Sequence, residues 1–182
     1  MLQVSVGGYV LRMSESIPEQ NDYGFYAATQ AALVEEFGLE RANQDAFYLM
    51  VQRAVFAWPF LCVAQRYYPD TMAGCHPGVL LAQETDLLFI GAGERLLAYD
   101  LTRPARLWED EADAGFHGWL RHGDTVLMSA ELELAAWDIT GAKLWTTFVE
   151  PPWDYHVDGD IVHLDVMGAL SAFPLRTGPG GS

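Results

Sequence analysis

The sequence predicts an α+β fold, mainly β, in which a short N-terminal helical segment precedes an antiparallel β-meander. Three observations carry this reading. Apolar residues recur at helical steps only in the first third of the chain. From Gly78 onward short apolar runs alternate with turn residues at close spacing. The stretch LAAWDITGAKLW, residues 134–145, reads as strand, tight turn and strand, and it has diverged counterparts on either side.

Residues 1–13 alternate, with Val4, Val6, Tyr9 and Leu11 among small and polar neighbours and Gly7-Gly8 as a break. They read as a strand region, followed by a linker at 14–22. Asp22 is placed to cap a helix. Tyr26, Thr29, Leu33 and Phe37 then fall at three- and four-residue steps, and Gly38 suits the position just past a helix end. A second helix is predicted over 43–56, NQDAFYLMVQRAVF. Asn43 is its cap, and Phe47, Met50, Val51, Ala54 and Val55 form its apolar face. Pro59 makes Trp58 extended and so ends it. FLCVAQRYY, 60–68, is rich enough in aromatic and β-branched residues for a strand, and 70–78 is a loop.

The repeat lies in the β region. Ala92, Leu96, Ala98, Asp100 and Thr102 align with Ala130, Leu134, Ala136, Asp138 and Thr140, at an offset of 38, and Tyr99 aligns with Trp137. A Leu-Trp pair follows in each copy, Leu107-Trp108 and Leu144-Trp145. At a further offset of 36, Gly159, Asp160, Val162, Leu170 and Ala172 match Gly123, Asp124, Val126, Leu134 and Ala136, with Phe173 in place of Trp137. The pattern AWDITGAKLW resembles a blade of the quinoprotein-like (PQQ-type) or WD-type β-propeller repeat, over roughly 78–178. It lacks the Gly-His pair of the WD pattern. About three copies are also fewer than the four or more blades of a closed propeller. The resemblance therefore implies blade-like hairpins in an open or partial propeller-like sheet, and no cofactor. An open sheet leaves edges to be covered. The whole chain, 1–182, is read as one domain: 1–77 with a strand, two helices and a strand, 78–178 as the repeat region, and 179–182 as a flexible tail.

Composition narrows the function. The chain has 25 acidic residues against 10 basic ones, a net charge of −15. Such a surface repels phosphate backbones and excludes nucleic acid as the expected ligand. It attracts a basic protein or a cation. Cys62 and Cys75 match no metal or redox spacing and read as buried free thiols. The start MLQVSVGGYVLRM has neither a basic leader nor a continuous apolar run, and no run is long enough to span a bilayer. The expectation is a cytoplasmic protein without a membrane partner.

Searching for chemistry gives little. DYHVDGD, 154–160, has the look of a cation loop. His156 and Asp165 are wrong at the third and twelfth positions, however, and Asp158-Gly159-Asp160 aligns with His122-Gly123-Asp124 as a recurring hairpin turn. The spacings of His117, His122, His156 and His163 suit no helix-borne metal pair, and these histidines are expected not to converge. His163 and Asp165 share a strand face, as Glu131 and Glu133 are expected to do. That arrangement could serve acid–base chemistry but more often forms a solvated face. GAGE, 91–94, lies within a hairpin and is no phosphate cradle; Ser129 has no nucleophile context. No catalytic, cofactor or metal site is assigned. Trp108, Trp119, Trp145 and Trp153 read as core, with an acid-rimmed aromatic surface as the alternative. The residues expected to meet a partner are Glu109, Asp110, Glu111, Trp119, Glu150 and Trp153. The reading is a non-catalytic protein-binding domain, of immunity or adaptor type, for a basic protein. Its alternatives are a module that assembles, or dimerises, through a β edge, and an enzyme with a site between the helical and β halves.

Overall fold

The computed structural model describes residues 1–20, 22–41, 44–68 and 76–180. Asn43, Cys75, most of the 70–78 loop and the last two residues of the tail lie outside them. The chain divides into two compact units, Met1–Pro69 with Tyr99–Arg106, and Asp70–Ala98 with Leu107–Ser182.

The first unit is a five-stranded sheet. β1 (Leu2–Val6) and β2 (Tyr9–Ser14) form a hairpin across Gly7-Gly8, both at positive φ, as the break predicts. α1 (Tyr23–Ala28) follows, then β3 (Leu33–Phe37), β4 (Asp45–Arg53) and β5 (Leu61–Tyr67), in the order β1-β2-β4-β5-β3. β3 runs parallel to β5, and the other pairs are antiparallel.

Both helix expectations need correction. The first helix is only six residues long, and Leu33 and Phe37 belong to β3. The second does not form, because residues 45–53 are the central strand β4. The cause is a shared period. A spacing of four, as in Leu33/Phe37 or Phe47/Val51, satisfies both the helical repeat and the strand's period of two. In β4 the sheet is covered on both faces, so Ala46–Gln52 are all buried and the alternation that marks a half-exposed strand is gone. Asp22 does sit at the helix start but makes no side-chain cap; its carboxylate accepts the Glu19 N–H instead. Gly38, at φ +65°, ends a strand and not a helix. Against one face of β4 and β5, Ala27 packs with Tyr48, Met50, Cys62 and Ala64, and the Tyr48 hydroxyl donates to the Gly24 carbonyl.

The second unit is the repeat. Its first sheet is β6 (Gly78–Ala82), β7 (Leu87–Ala92), β8 (Arg95–Asp100) and β9 (Ala105–Glu111), in that order, with the β8–β9 connection, Tyr99–Arg106, counted in the first unit. The second is β10 (Phe116–His122), β11 (Thr125–Ala130), β12 (Glu133–Asp138) and β13 (Lys143–Phe148). The third has three strands, β14 (Trp153–Asp158), β15 (Ile161–Val166) and β16 (Ala169–Pro174). The two offsets found in the sequence carry β7 and β8 onto β11 and β12, and these onto β15 and β16, residue for residue. Successive up-and-down sheets of this kind give a propeller-like β fold, with no closed barrel among the described residues.

The aromatic-Asp-x-Thr motif now has a physical meaning. Asp100 and Asp138 each close the third strand of a sheet. The Asp100 Oδ1 accepts the Thr102 N–H (2.7 Å) and hydroxyl (2.6 Å), and the Asp138 Oδ1 accepts the same groups of Thr140 at 2.9 and 2.6 Å. Asp138 also takes the Ala142 N–H. Partial burial alone would raise the Asp138 pKa, but these hydrogen bonds, Thr140 first, outweigh it and hold the carboxyl below its ordinary value. Gly123 and Gly159, both at φ +56°, open the two-residue turns of the second and third sheets, so DYHVDGD is the recurring turn.

The core between the first two sheets is aromatic. Trp137 stacks on Trp108 at 5.6 Å and meets Trp119 edge-on, while Phe116 lies against Trp119 and beneath the Gly91 backbone. A Cβ on Gly91 would fall 2.5 Å from the Phe116 ring, which is why a glycine interrupts an otherwise apolar strand.

Two outcomes follow. Gly91→Ala should cost about 1–3 kcal/mol of stability by overpacking against Phe116, read from denaturant unfolding. At pH 7, Asp138→Ala should lose about 1–2 kcal/mol with its turn hydrogen bonds, and Asp138→Asn, which keeps an acceptor oxygen, should lose less. A depressed carboxylate stabilises the fold above its unfolded pKa, and this stabilisation is lost as pH falls through the folded value, below 3.8. Thermal melts of Asp138→Asn should therefore fall less steeply below about pH 4.

Candidate functional site

The residues expected to meet a partner lie in different settings. Glu109 and Asp110, on β9, are already paired, Glu109 with Arg95 at 2.8 Å and Asp110 with Lys143 at 2.8 Å. Glu111 is exposed at the end of the same strand. Trp119 is half-buried and packs into the aromatic core with Phe89, Phe116 and Trp137. Glu150 is exposed and precedes the cis Pro151-Pro152 bond. Trp153 opens β14, donates its indole N–H to the Glu131 carbonyl at 2.9 Å, and stacks on Tyr155. Glu150 and Trp153 thus fall beside the third sheet, and the others belong to the first two.

Of the four repeat-region histidines, two come together. His156 and His163 face each other across β14 and β15 with rings stacked at 4.7 Å. His117 goes elsewhere, with Nε2 3.2 Å from Glu131 Oε2. Among the described residues no group of three or more His, Cys, Asp or Glu could hold a metal ion. Glu131 and Glu133 take different partners. Glu133 is buried, accepting the Asp113 N–H and the Thr146 hydroxyl, with Lys143 Nζ at 3.8 Å. Cys62 is a buried free thiol, and burial pushes its pKa up to about 11 despite a hydrogen bond with Tyr48.

A cleft of about 320 Å³ in the second unit gathers His117, Ser129, Glu131, Pro151, Pro152, Trp153, Asp154 and Tyr155. Two local irregularities build it. β10 slips register between Phe116 and Gly118, so His117 sits in a bulge and its side chain is re-aimed to Glu131, just beyond β11. The prolines then bring the chain from β13 into β14, where Trp153 and Tyr155 alternate with the exposed Asp154. Burial, with Asp154 nearby, pushes the Tyr155 hydroxyl up to about 12, so it remains a neutral donor at physiological pH. The cleft thus offers two stacked aromatic rings, two carboxylates and an imidazole, with no Lys or Arg in its lining.

Its charge continues beyond the cleft. Between Lys143 and Arg176 the chain has five acidic residues, Glu150, Asp154, Asp158, Asp160 and Asp165, and no Lys or Arg. Glu150 and Trp153 stand out in the sequence by residue type, whereas Glu131, Asp154 and Tyr155 become their company only in the fold. The absence of basic residues over this stretch was the available signal. The register slip that turns His117 has no sequence mark.

A second surface was missed altogether. The β4–β5 loop in the first unit exposes Val55 (86%), Phe56 (60%) and Trp58 (49%), and Trp58 stacks on Tyr23. Phe56, Trp58 and Phe60 line a cleft of about 410 Å³ with Arg53 and Pro104. Reading this stretch as the end of a helix hid it. No helix among the described residues is long and apolar enough to cross a membrane.

No family model matches the chain, and no curated protein matches it. Among solved structures it is similar to Kluyveromyces lactis Hsv2, at 13% identity and a TM-score of 0.32, over 59% of this chain and 35% of that one. It is also similar to BamB from Moraxella catarrhalis, at 16% identity and a TM-score of 0.35, over 73% and 47%. The chain therefore spans from about a third to about half of the length of these structures.

Proposed function

We propose that the chain is a non-catalytic protein-binding module that holds a basic partner at its third sheet. The observation that carries this is the five-acid, base-free stretch, which meets the Trp153–Tyr155 cleft. A Lys or Arg side chain entering there gains from carboxylates and from ring faces together. Elsewhere on the second unit three carboxylates, of Glu109, Glu84 and Asp110, are met within the chain by Arg95, Arg121 and Lys143. Those of the third sheet are left to draw a cation from outside. An immunity-type or adaptor role, in which a basic protein is held and masked, suits such a surface.

One observation favours a second reading. The His117–Glu131 pair in a polar cleft has the make-up of an acid–base centre. A His117→Ala chain that still binds a basic peptide supports the binding reading. A hydrolytic rate in the native chain that this substitution removes supports the catalytic one.

Octa-arginine peptide mixed with the chain in a stopped-flow instrument should associate at a rate that falls about tenfold between about 0.02 and 0.3 M salt. Trp153→Ala, or Asp154→Asn with Asp158→Asn, should weaken binding by at least about fivefold. Equal rates at both salts, or unchanged binding in these variants, would overturn the proposal.

A further inference from the structure

The first unit carries a second surface of different character. Met1–Pro69 with Tyr99–Arg106 holds 8 acidic and 6 basic residues, which leaves 17 acidic and 4 basic residues to the other unit. From 46 to 69 there is no Asp or Glu, and there are two arginines, Arg53 and Arg66. The cleft of about 410 Å³ lies on this stretch, and its lining holds one cation, Arg53, and no carboxylate. Arg53 makes no ion pair among the described residues. Its Nη2 donates to the Thr102 carbonyl at 3.3 Å, and its guanidinium lies 5.8 Å from the centre of the Phe60 ring. Its other N–H groups are left for a ligand.

The aromatic groups here are exposed but held in place. The Gln52 amide donates to the Phe56 carbonyl, and the Tyr23 hydroxyl donates to the Ala57 carbonyl at 3.4 Å. The Phe60 N–H donates to the Val51 carbonyl, and Trp58 stacks on Tyr23 with ring centroids 5.9 Å apart. The loop is thus tied from both sides while Phe56 and Trp58 face water. Exposed aromatics of this kind mark a binding surface, and a loop ordered beforehand lowers the entropic cost of using it. The Trp58 indole N–H has no partner among the described residues, so it can donate to a ligand carbonyl.

We infer that this cleft binds a proline-rich protein segment that carries a carboxylate. Pyrrolidine rings would lie on Phe56, Trp58 and Phe60, and the carboxylate would meet Arg53. No residue is shared with the third sheet, so the inference stands apart from the basic partner proposed there. Backbone chemistry selects the conformation. Phe56 to Phe60 lie outside any strand, so the cleft offers no edge for an added strand to pair with. A helix short enough for a cleft of this size is marginal in water. A polyproline helix keeps its backbone solvated, places a ring at every turn, and loses little entropy on binding to aromatic grooves. Charge selects the sequence. A guanidinium with no carboxylate near it, held in an apolar cleft, gains most from an acidic residue.

The test uses the full chain and a fluorescein-labelled octapeptide of proline with glutamate at its third and sixth positions, beside the same peptide with glutamine there. Anisotropy should report saturable binding of the glutamate peptide, at least about fivefold tighter than the glutamine one. Arg53→Gln should remove that difference. Trp58→Ala should weaken both peptides by at least about tenfold. Both changes are at exposed positions and should leave the thermal melt near that of the native chain. Trp153→Ala, in the second unit, should leave the affinity for the glutamate peptide unchanged. Loss of binding in that variant would overturn the location. A preference for glutamate that survives Arg53→Gln would overturn the role of Arg53, and no binding of either peptide at millimolar concentration would overturn the whole inference. Capture of the chain by phosphatidylcholine vesicles, abolished by Trp58→Ala and without peptide binding, would overturn the choice of a protein segment in favour of lipid. Sedimentation showing a dimer that Trp58→Ala dissolves would overturn it in favour of a second copy.

Discussion

Trp108 and Trp145 each send an indole N–H from the fourth strand of one sheet to a turn carbonyl in the next, Gly141 and Leu175, both at 2.7 Å. Much of the second unit depends on this contact. A buried indole needs a partner for its N–H, and a neighbouring turn can supply one only if the two sheets keep their spacing and order. The ring then fills the gap between sheets, Trp108 against Trp137 and Trp145 against Phe173. The Leu-Trp pair of the repeat is therefore a statement about the next repeat as much as its own. Other contacts follow from the same juxtaposition. The Thr85 hydroxyl donates to the Ile139 carbonyl, and Arg121 grips Glu84 through both terminal nitrogens. These polar contacts are exposed or partly so and contribute less than the aromatic burial.

This ordering also distributes the charge. A fourth strand that begins with Lys143 brings its ammonium to Asp110 and over the Trp137 ring, so part of the first sheet's acid is neutralised by the second sheet. In the first unit Arg106 approaches Glu35, which also accepts the Tyr99 hydroxyl. With 10 basic residues for 25 acidic ones, the chain cannot repeat this everywhere. The third sheet carries Asp154, Asp158 and Asp165 on its strands and no Lys or Arg from 144 to 175.

The repeat was legible in the sequence because its signals are local. An Asp that ties down its own turn through Thr102 or Thr140, and a glycine that opens a two-residue loop, act within a few residues and recur at fixed offsets. The first unit was not legible. Its central strand is buried on both faces, and its parallel partner β3 reaches β5 from a distant part of the chain. Neither condition leaves a period that tells strand from helix. The cleft was half legible. Glu150 and Trp153 stand out by type, but His117 reaches Glu131 only through a register slip, and the exposed aromatics of the β4–β5 loop were hidden by the helix reading.

The third copy departs from the other two at two linked positions, Phe173 for Trp137 and Pro174 for Asp138. Phe173 keeps the ring that Trp145 packs on, so the contact with the preceding sheet survives. Pro174 gives up the side chain that tied the earlier turns, and the N–H that Asp138 donates to the Ala142 carbonyl. A proline on an edge strand is a common defence against unwanted pairing. A fully defended edge, though, would carry charge or a bulge along its length. β16 carries Ala, Leu, Ser and Ala there, paired with β15 in unbroken register. The proline therefore bars a main-chain donor at that one end of the strand.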